Sequence, residues 1–168
     1  MSERLYTIEV EVNGAKRAAQ VPARLSLVDW LRDELRLTGT HVGCEHGICG
    51  ACSVRVDGAV VRGCLMLAVQ ADGADVVTIE GLTESEEIAD LQEKFVERNA
   101  LQCGYCTPGM LVTAAELLKQ GKPASREEIR AFLSGNYCRC TGYHAIVDAV
   151  EATLNARLNA RLNARLGR

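Results

Sequence analysis

The sequence predicts an α+β chain: a small mixed sheet with one helix over residues 1–80, then a four-helix bundle over residues 88–154. Three observations carry that expectation. The first half alternates polar and apolar residues at period two around Asn13-Gly14 and Asp57-Gly58, the dipeptides of tight hairpins. From about residue 88 the apolar spacing changes to three and four, the period of a helix face. Eight cysteines divide into two groups of four, one in each half.

Tyr6 to Val12 alternates, turns at Asn13-Gly14 and returns from Arg17 to Val21, which predicts a β-hairpin. Ser26 is placed to cap a short helix, Ser26 to Leu35, whose Leu27, Val28, Leu31 and Leu35 share a face, with Trp30 in the same packing. A glycine-rich loop follows and carries Cys44, Cys49 and Cys52. Ser53–Val56 and Ala59–Val61 read as strands around Asp57-Gly58, delivering Cys64 back to that loop, and Val76–Ile79 reads as one more strand. Together these elements have a β-grasp layout, a ferredoxin-like unit. Residues 81–87, rich in Gly, Thr, Ser and acid, read as a linker.

Four helices are expected beyond it. Ile88, Leu91, Gln92, Phe95 and Val96 make the inner face of the first. Pro108 stands at the start of the second, which runs to Gln120 and stops at Gly121. Ser125 and Glu128 form a capping box that opens the third, through Leu133, and Gly135-Asn136 closes it. The fourth begins near Tyr143, with Ile146, Val147, Val150 and Leu154 inward. Residues 155–168 repeat Leu-Asn-Ala-Arg and read as a basic tail that extends this helix and frays; a partner-docking or anionic-surface helix is the alternative.

The cysteine spacings are C-x4-C-x2-C-x11-C for Cys44, Cys49, Cys52 and Cys64, and C-x2-C-x31-C-x-C for Cys103, Cys106, Cys138 and Cys140. Four thiolates complete the ligand shell of a [2Fe-2S] cluster, and the first spacing is that of plant-type ferredoxins. Glycines around the first group let backbone N–H groups approach the sulfurs. The second group falls at helix ends, where unpaired backbone donors favour an anionic centre. A tetrahedral zinc site is the competing reading, more serious for the second group than for the first. His41, His46 and His144 are read as non-ligands, because four thiolates already complete each set.

Composition limits the alternatives. The chain has 168 residues, 48% hydrophobic and 24% charged, enough to bury a core despite only 4% aromatics. Metal binding supplements such a core by on the order of 10 kcal/mol. Net charge is -3, and because residues 155–168 hold four arginines and no acid, the rest carries 15 basic against 22 acidic residues. That balance argues against a nucleic-acid surface. The N-terminus lacks an apolar signal-peptide core and no segment is apolar enough to span a membrane, so a cytoplasmic protein is expected. Reduced thiols in that compartment favour metal ligation over disulfides. Nothing resembles a nucleophile with its base, paired catalytic carboxylates or a phosphate loop, so no substrate chemistry is expected from this chain alone.

Residues 43–52 (GCEHGICGAC), 102–109 (QCGYCTPG) and 135–143 (GNYCRCTGY), together with all eight cysteines, resemble the iron-sulfur subunit of the molybdenum hydroxylases. These are the xanthine dehydrogenase, aldehyde oxidoreductase and aerobic carbon monoxide dehydrogenase relatives. The resemblance spans residues 5 to about 154, with Tyr137 standing where leucine is expected, and leaves out the repeated tail. It implies a two-domain small subunit beside a large molybdopterin-binding subunit and a medium FAD-binding subunit, in a dimer of heterotrimers. It further implies that the cluster on Cys103, Cys106, Cys138 and Cys140 is proximal to molybdenum, and that the cluster on Cys44, Cys49, Cys52 and Cys64 passes electrons to FAD. Gln102, through its amide, and Cys140, through its sulfur, match positions that contact the pterin. The substrate class implied is an N-heterocycle, an aldehyde or carbon monoxide. The rival reading is a diffusible ferredoxin, which needs only the first four cysteines.

Overall fold

The computed structural model describes residues 3–167; Met1, Ser2 and Arg168, the outermost positions of the expected first domain and tail, lie outside them. Strands β1 (Leu5–Val12) and β2 (Ala15–Pro22) pair antiparallel, and Asn13 and Gly14 between them both take positive φ (51° and 75°), the geometry that matches a tight hairpin to strand twist. Strands β3 (Ser53–Val56) and β4 (Ala59–Arg62) repeat the device with Asp57 and Gly58 at φ 48° and 82°. Strand β5 (Asp75–Val77) lies in the middle, parallel to β1 and antiparallel to β3, giving the order β2-β1-β5-β3-β4. The first sheet core joins Ile8, Val10, Val12, Val54 and Val76 to the helix above them.

That helix is shorter and wider than expected. Helix α1 (Leu27–Asp29) is capped by Ser26, whose Oγ accepts the Asp29 N–H at 3.1 Å, and it continues as a π turn, Trp30–Glu34, closed by the Leu35 N–H on the Trp30 carbonyl at 3.2 Å. Trp30 and Leu31 are both fully buried, as the apolar spacing required.

The expected linker is instead helical. Helix α2 (Ile79–Glu84) begins where the last strand was expected to end, and Ile79 and Leu82 are buried in the helical core. Gly81 and Thr83 hide the period in the sequence, yet Gly81 is there for contact: a Cβ would lie 2.6 Å from the Asn13 side-chain carbon. Asn13 Oδ1 accepts the Thr78 N–H at 2.9 Å, Glu80 accepts the Gly39 N–H at 2.8 Å, and Arg55 donates to both Glu87 carboxylate oxygens at 2.7 and 2.9 Å. Residues 78–87 therefore stitch the sheet to the helices.

Helices α3 (Ala89–Glu97), α4 (Thr107–Gln120), α5 (Arg126–Leu133) and α6 (His144–Arg165) follow as the four helices expected beyond residue 88, with α2 added before them among the described residues. Their shared core includes Ile88, Leu91, Phe95, Met110, Ile129 and Val147. Val96, expected on the inner face of α3, is 70% exposed, because Leu91 and Phe95 already fill that face. Ser125 and Glu128 make the expected capping box on α5: Ser125 Oγ accepts the Glu128 N–H at 3.3 Å and Glu128 accepts the Ser125 N–H at 2.7 Å. The tail continues α6 without a break to Arg165. Arg157 on α6 grips Asp90 on α3 at 2.6 and 2.7 Å, and Arg126 on α5 reaches Asp148 and Glu151 on α6, both at 2.5 Å.

Candidate metal centres

Loop residues 43–52 present Cys44, Cys49 and Cys52 in front of the sheet, and the Gly63 N–H on the Cys52 carbonyl (3.0 Å) brings the end of β4, and so Cys64, against them. Cys44 Sγ accepts two backbone N–H groups, from His46 and Cys49, each at 3.4 Å. Those donors, Cys49's first, draw the Cys44 thiol down to about pKa 6, so its sulfur is presented as a thiolate near neutral pH. Cys52 is the opposite case: burial pushes its thiol up to about 11. A sulfur so enclosed keeps its proton unless a cation replaces it.

The second group sits at helix ends. Cys106 precedes α4 and burial raises its thiol to about 12. Cys138 is held by its own N–H donating to the Tyr143 hydroxyl (2.9 Å), and its sulfur lies 3.1 Å from Thr141 Oγ1. Cys103 and Cys140 are exposed, with their sulfurs 3.6 Å apart.

All eight cysteines are free, and within each group neighbouring thiols act on one another: Cys52 feels both Cys64 and Cys49, Cys106 feels both Cys138 and Cys103, and the Cys103 and Cys140 sulfurs stand 3.6 Å apart. Among the described residues, no three His, Cys, Asp or Glu side chains gather as they would around a single ion. A zinc ion asks for four ligands about one point, whereas a [2Fe-2S] cluster takes two thiolates on each of two irons. Four free thiols in each group, with two N–H groups aimed at the Cys44 sulfur, fit the binuclear centre.

Gln102 is exposed and precedes Cys103, whose sulfur lies 3.6 Å from that of Cys140. His46 turns Nδ1 to the Cys44 carbonyl, His144 opens α6 at the surface, and His41 stacks on Tyr105 (ring centroids 4.6 Å apart) with Nδ1 2.8 Å from the Tyr105 carbonyl. The Tyr105 hydroxyl donates to Val42 at 2.7 Å, so this ring ties the loop before Cys106 to the loop before Cys44. Tyr105, Tyr143, Thr141, Arg62 and Asn136 all support the cysteine loops, a role the sequence did not assign to any of them, although Asn136 and Tyr143 were placed at helix ends. Tyr143, Thr141 and Asn136 stand inside the third motif; Arg62 has no sequence signal.

Two family models match the chain: "2Fe-2S iron-sulfur cluster binding domain" over residues 10–83 and "[2Fe-2S] binding domain" over residues 78–151. The nicotine 6-hydroxylase small subunit of Paenarthrobacter nicotinovorans is 52% identical over 143 residues, 85% of this chain and 86% of that one. Caffeine dehydrogenase subunit gamma of Pseudomonas sp. (strain CBB1) is 49% identical over 150 residues, 88% of this chain and 90% of that one. Among solved structures, quinoline 2-oxidoreductase from Pseudomonas putida 86 superposes with a TM-score of 0.86 at 46% identity, covering 92% of this chain and 97% of the matched chain.

Proposed function

The chain belongs to the small iron-sulfur subunits of the molybdenum hydroxylases, and from that membership we propose how its residues divide the work. It is the electron-transfer part of a multi-subunit oxidoreductase and carries two [2Fe-2S] clusters. In our reading Cys44, Cys49, Cys52 and Cys64 hold one cluster, and Cys103, Cys106, Cys138 and Cys140 hold the other. The observation that carries this assignment is that each of the two matched iron-sulfur domains holds one group of four free cysteines, enough for the four thiolates of one cluster. Bound there, each cluster accepts and releases one electron at a time, chemistry that thiols alone do not supply.

The chain's own residues orient this traffic. Cys103, Cys140 and Gln102 are exposed together, which supports contact with a molybdopterin held by a large subunit, the Gln102 amide and the Cys140 sulfur being the contacting groups. At the first group, Ile48 (55% exposed) and Leu65 (63%) form an apolar rim beside half-buried cysteines, a surface suited to a medium subunit that holds FAD. Helices α3 to α6 act as the four-helix unit around the second cluster, and α2 is the joint that fixes it to the sheet unit. The assembly we propose is a dimer of heterotrimers in the cytoplasm; among the described residues no helix is long and apolar enough to cross a membrane. Nicotine, caffeine and quinoline in the relatives' names support an N-heterocycle as substrate over an aldehyde or carbon monoxide.

Purification of the native complex tests the reading. It predicts that two further subunits, molybdenum and FAD accompany this chain, and that an N-heterocycle reduces an artificial acceptor through it. A lone chain in its native host, or zinc without iron, contradicts it.

A further inference from the structure

The two cysteine loops meet at a buried seam whose hub is Asn136, only 1% exposed. Its Nδ2 donates to the Gly50 carbonyl at 3.0 Å and lies 3.4 Å from Ser53 Oγ, while its Oδ1 accepts the Thr113 hydroxyl at 2.9 Å. Arg62 closes the seam from the sheet side, donating to the Gly135 carbonyl at 2.8 Å and to Ser53 Oγ at 2.6 Å. Glycines let the backbones touch: a Cβ on Gly50 would lie 2.5 Å from the Gly135 carbonyl, and one on Gly109 would strike the Gly50 carbonyl. One consequence of this close approach is a direct bond between ligand loops. The Tyr137 N–H donates to the Cys49 carbonyl at 2.8 Å, and Tyr137 is followed immediately by Cys138.

We propose that Asn136 is the positioning residue for electron passage between the two centres, and that the Tyr137 N–H to Cys49 C=O hydrogen bond is the link it holds. The proposal rests on the functional reading above. With a cluster held by each group, one electron supplied by substrate oxidation in the large subunit would pass from the group of Cys103, Cys106, Cys138 and Cys140 to that of Cys44, Cys49, Cys52 and Cys64, with no bond or proton changing place within the chain. From Cys49 to Cys138 the route is backbone interrupted by a single hydrogen bond, next to the buried Asn136 amide. The His41–Tyr105 contact between the loops is a less direct route: His41 is separated from Cys44 by two residues and its ring must be crossed. Asn136 sets the coupling because its side chain holds Gly50, the neighbour of Cys49, while its own backbone leads into Tyr137, with both ends of its amide satisfied inside the protein.

The test uses the whole complex and the isosteric variant Asn136→Asp, which keeps the acceptor for Thr113 but sets a carboxylate oxygen against the Gly50 carbonyl. We expect both clusters to remain by iron and acid-labile sulfide analysis. The magnetic interaction between the two reduced centres weakens in the EPR spectrum, and intercluster transfer after rapid mixing slows by on the order of tenfold. Tyr137→Phe keeps the backbone donor and leaves both readouts unchanged. A merely structural Asn136 lowers the melting temperature and spares the magnetic interaction; unchanged interaction and rate in Asn136→Asp, with both clusters present, overturns the proposal. If that variant fails to assemble, Thr113→Val decides the matter, with a loss of about threefold in transfer rate supporting the proposal and an unchanged rate overturning it. A wild-type complex without two clusters sinks the functional reading itself, whereas two coupled clusters that ignore these variants sink only this inference.

Discussion

At the scale of single residues the cysteines are unequal, and their surroundings explain why. Cys44 is pulled toward thiolate by two backbone donors, while Cys52 and Cys106 are pushed toward the protonated thiol by burial and call for a cation at the sulfur. Each group should therefore fail independently. Cys140→Ser is expected to remove one of the two EPR signals of the reduced protein and Cys52→Ser the other, each leaving its neighbour in place. Gly50 is constrained twice, by φ +73° and by the Gly135 carbonyl, so Gly50→Ala should cost about 1–3 kcal/mol, read as a lower unfolding temperature. The spacing of the thiols made both groups legible in the sequence. Asn136 and Arg62 were not, since their partners Gly50 and Gly135 lie 86 and 73 residues away and only the folded chain brings them together.

Among elements, those written in a local code were legible and those fixed by distant contacts were not. Both hairpins follow from Asn-Gly and Asp-Gly, and α5 from its capping box. Helix α2 escaped because Gly81 and Thr83 are poor helix formers, and Asn13, Gly39 and Ile88 hold the segment from outside it. Helix α6 passes Leu154 because Arg157 reaches back to α3, a contact the repeat alone does not announce. That ion pair carries a pH dependence. Hydrogen bonding to Arg157 holds the Asp90 carboxyl below its ordinary value, despite some burial that opposes it. Stability from the pair is thus present above the unfolded carboxylate range and lost as pH falls toward the folded value. Asp90→Asn should cost less than about 1 kcal/mol at neutral pH, the group being partly exposed, and the gap from wild type should close below about pH 4 in denaturant titrations.

On the scale of the whole molecule, two cores meet along the ligand loops, and the metal centres complete both. On the proposed assignment, removing iron would leave the sheet and helix ladders but strip the partners from Cys52 and Cys106. Chelation under reducing conditions should lower the unfolding temperature and raise amide exchange at residues 43–52 and 103–107, with β1 and α4 staying protected. The outline of a sheet unit followed by a helical unit was visible in periodicity, whereas their joining through α2 and Asn136 belongs to the folded chain. One measurement tests the two-cluster assignment most directly: the EPR spectrum of the reduced native complex, with its iron and acid-labile sulfide content. Two distinct [2Fe-2S] signals broadened by each other are predicted; a single signal, or a colourless chain holding zinc without sulfide, would contradict it.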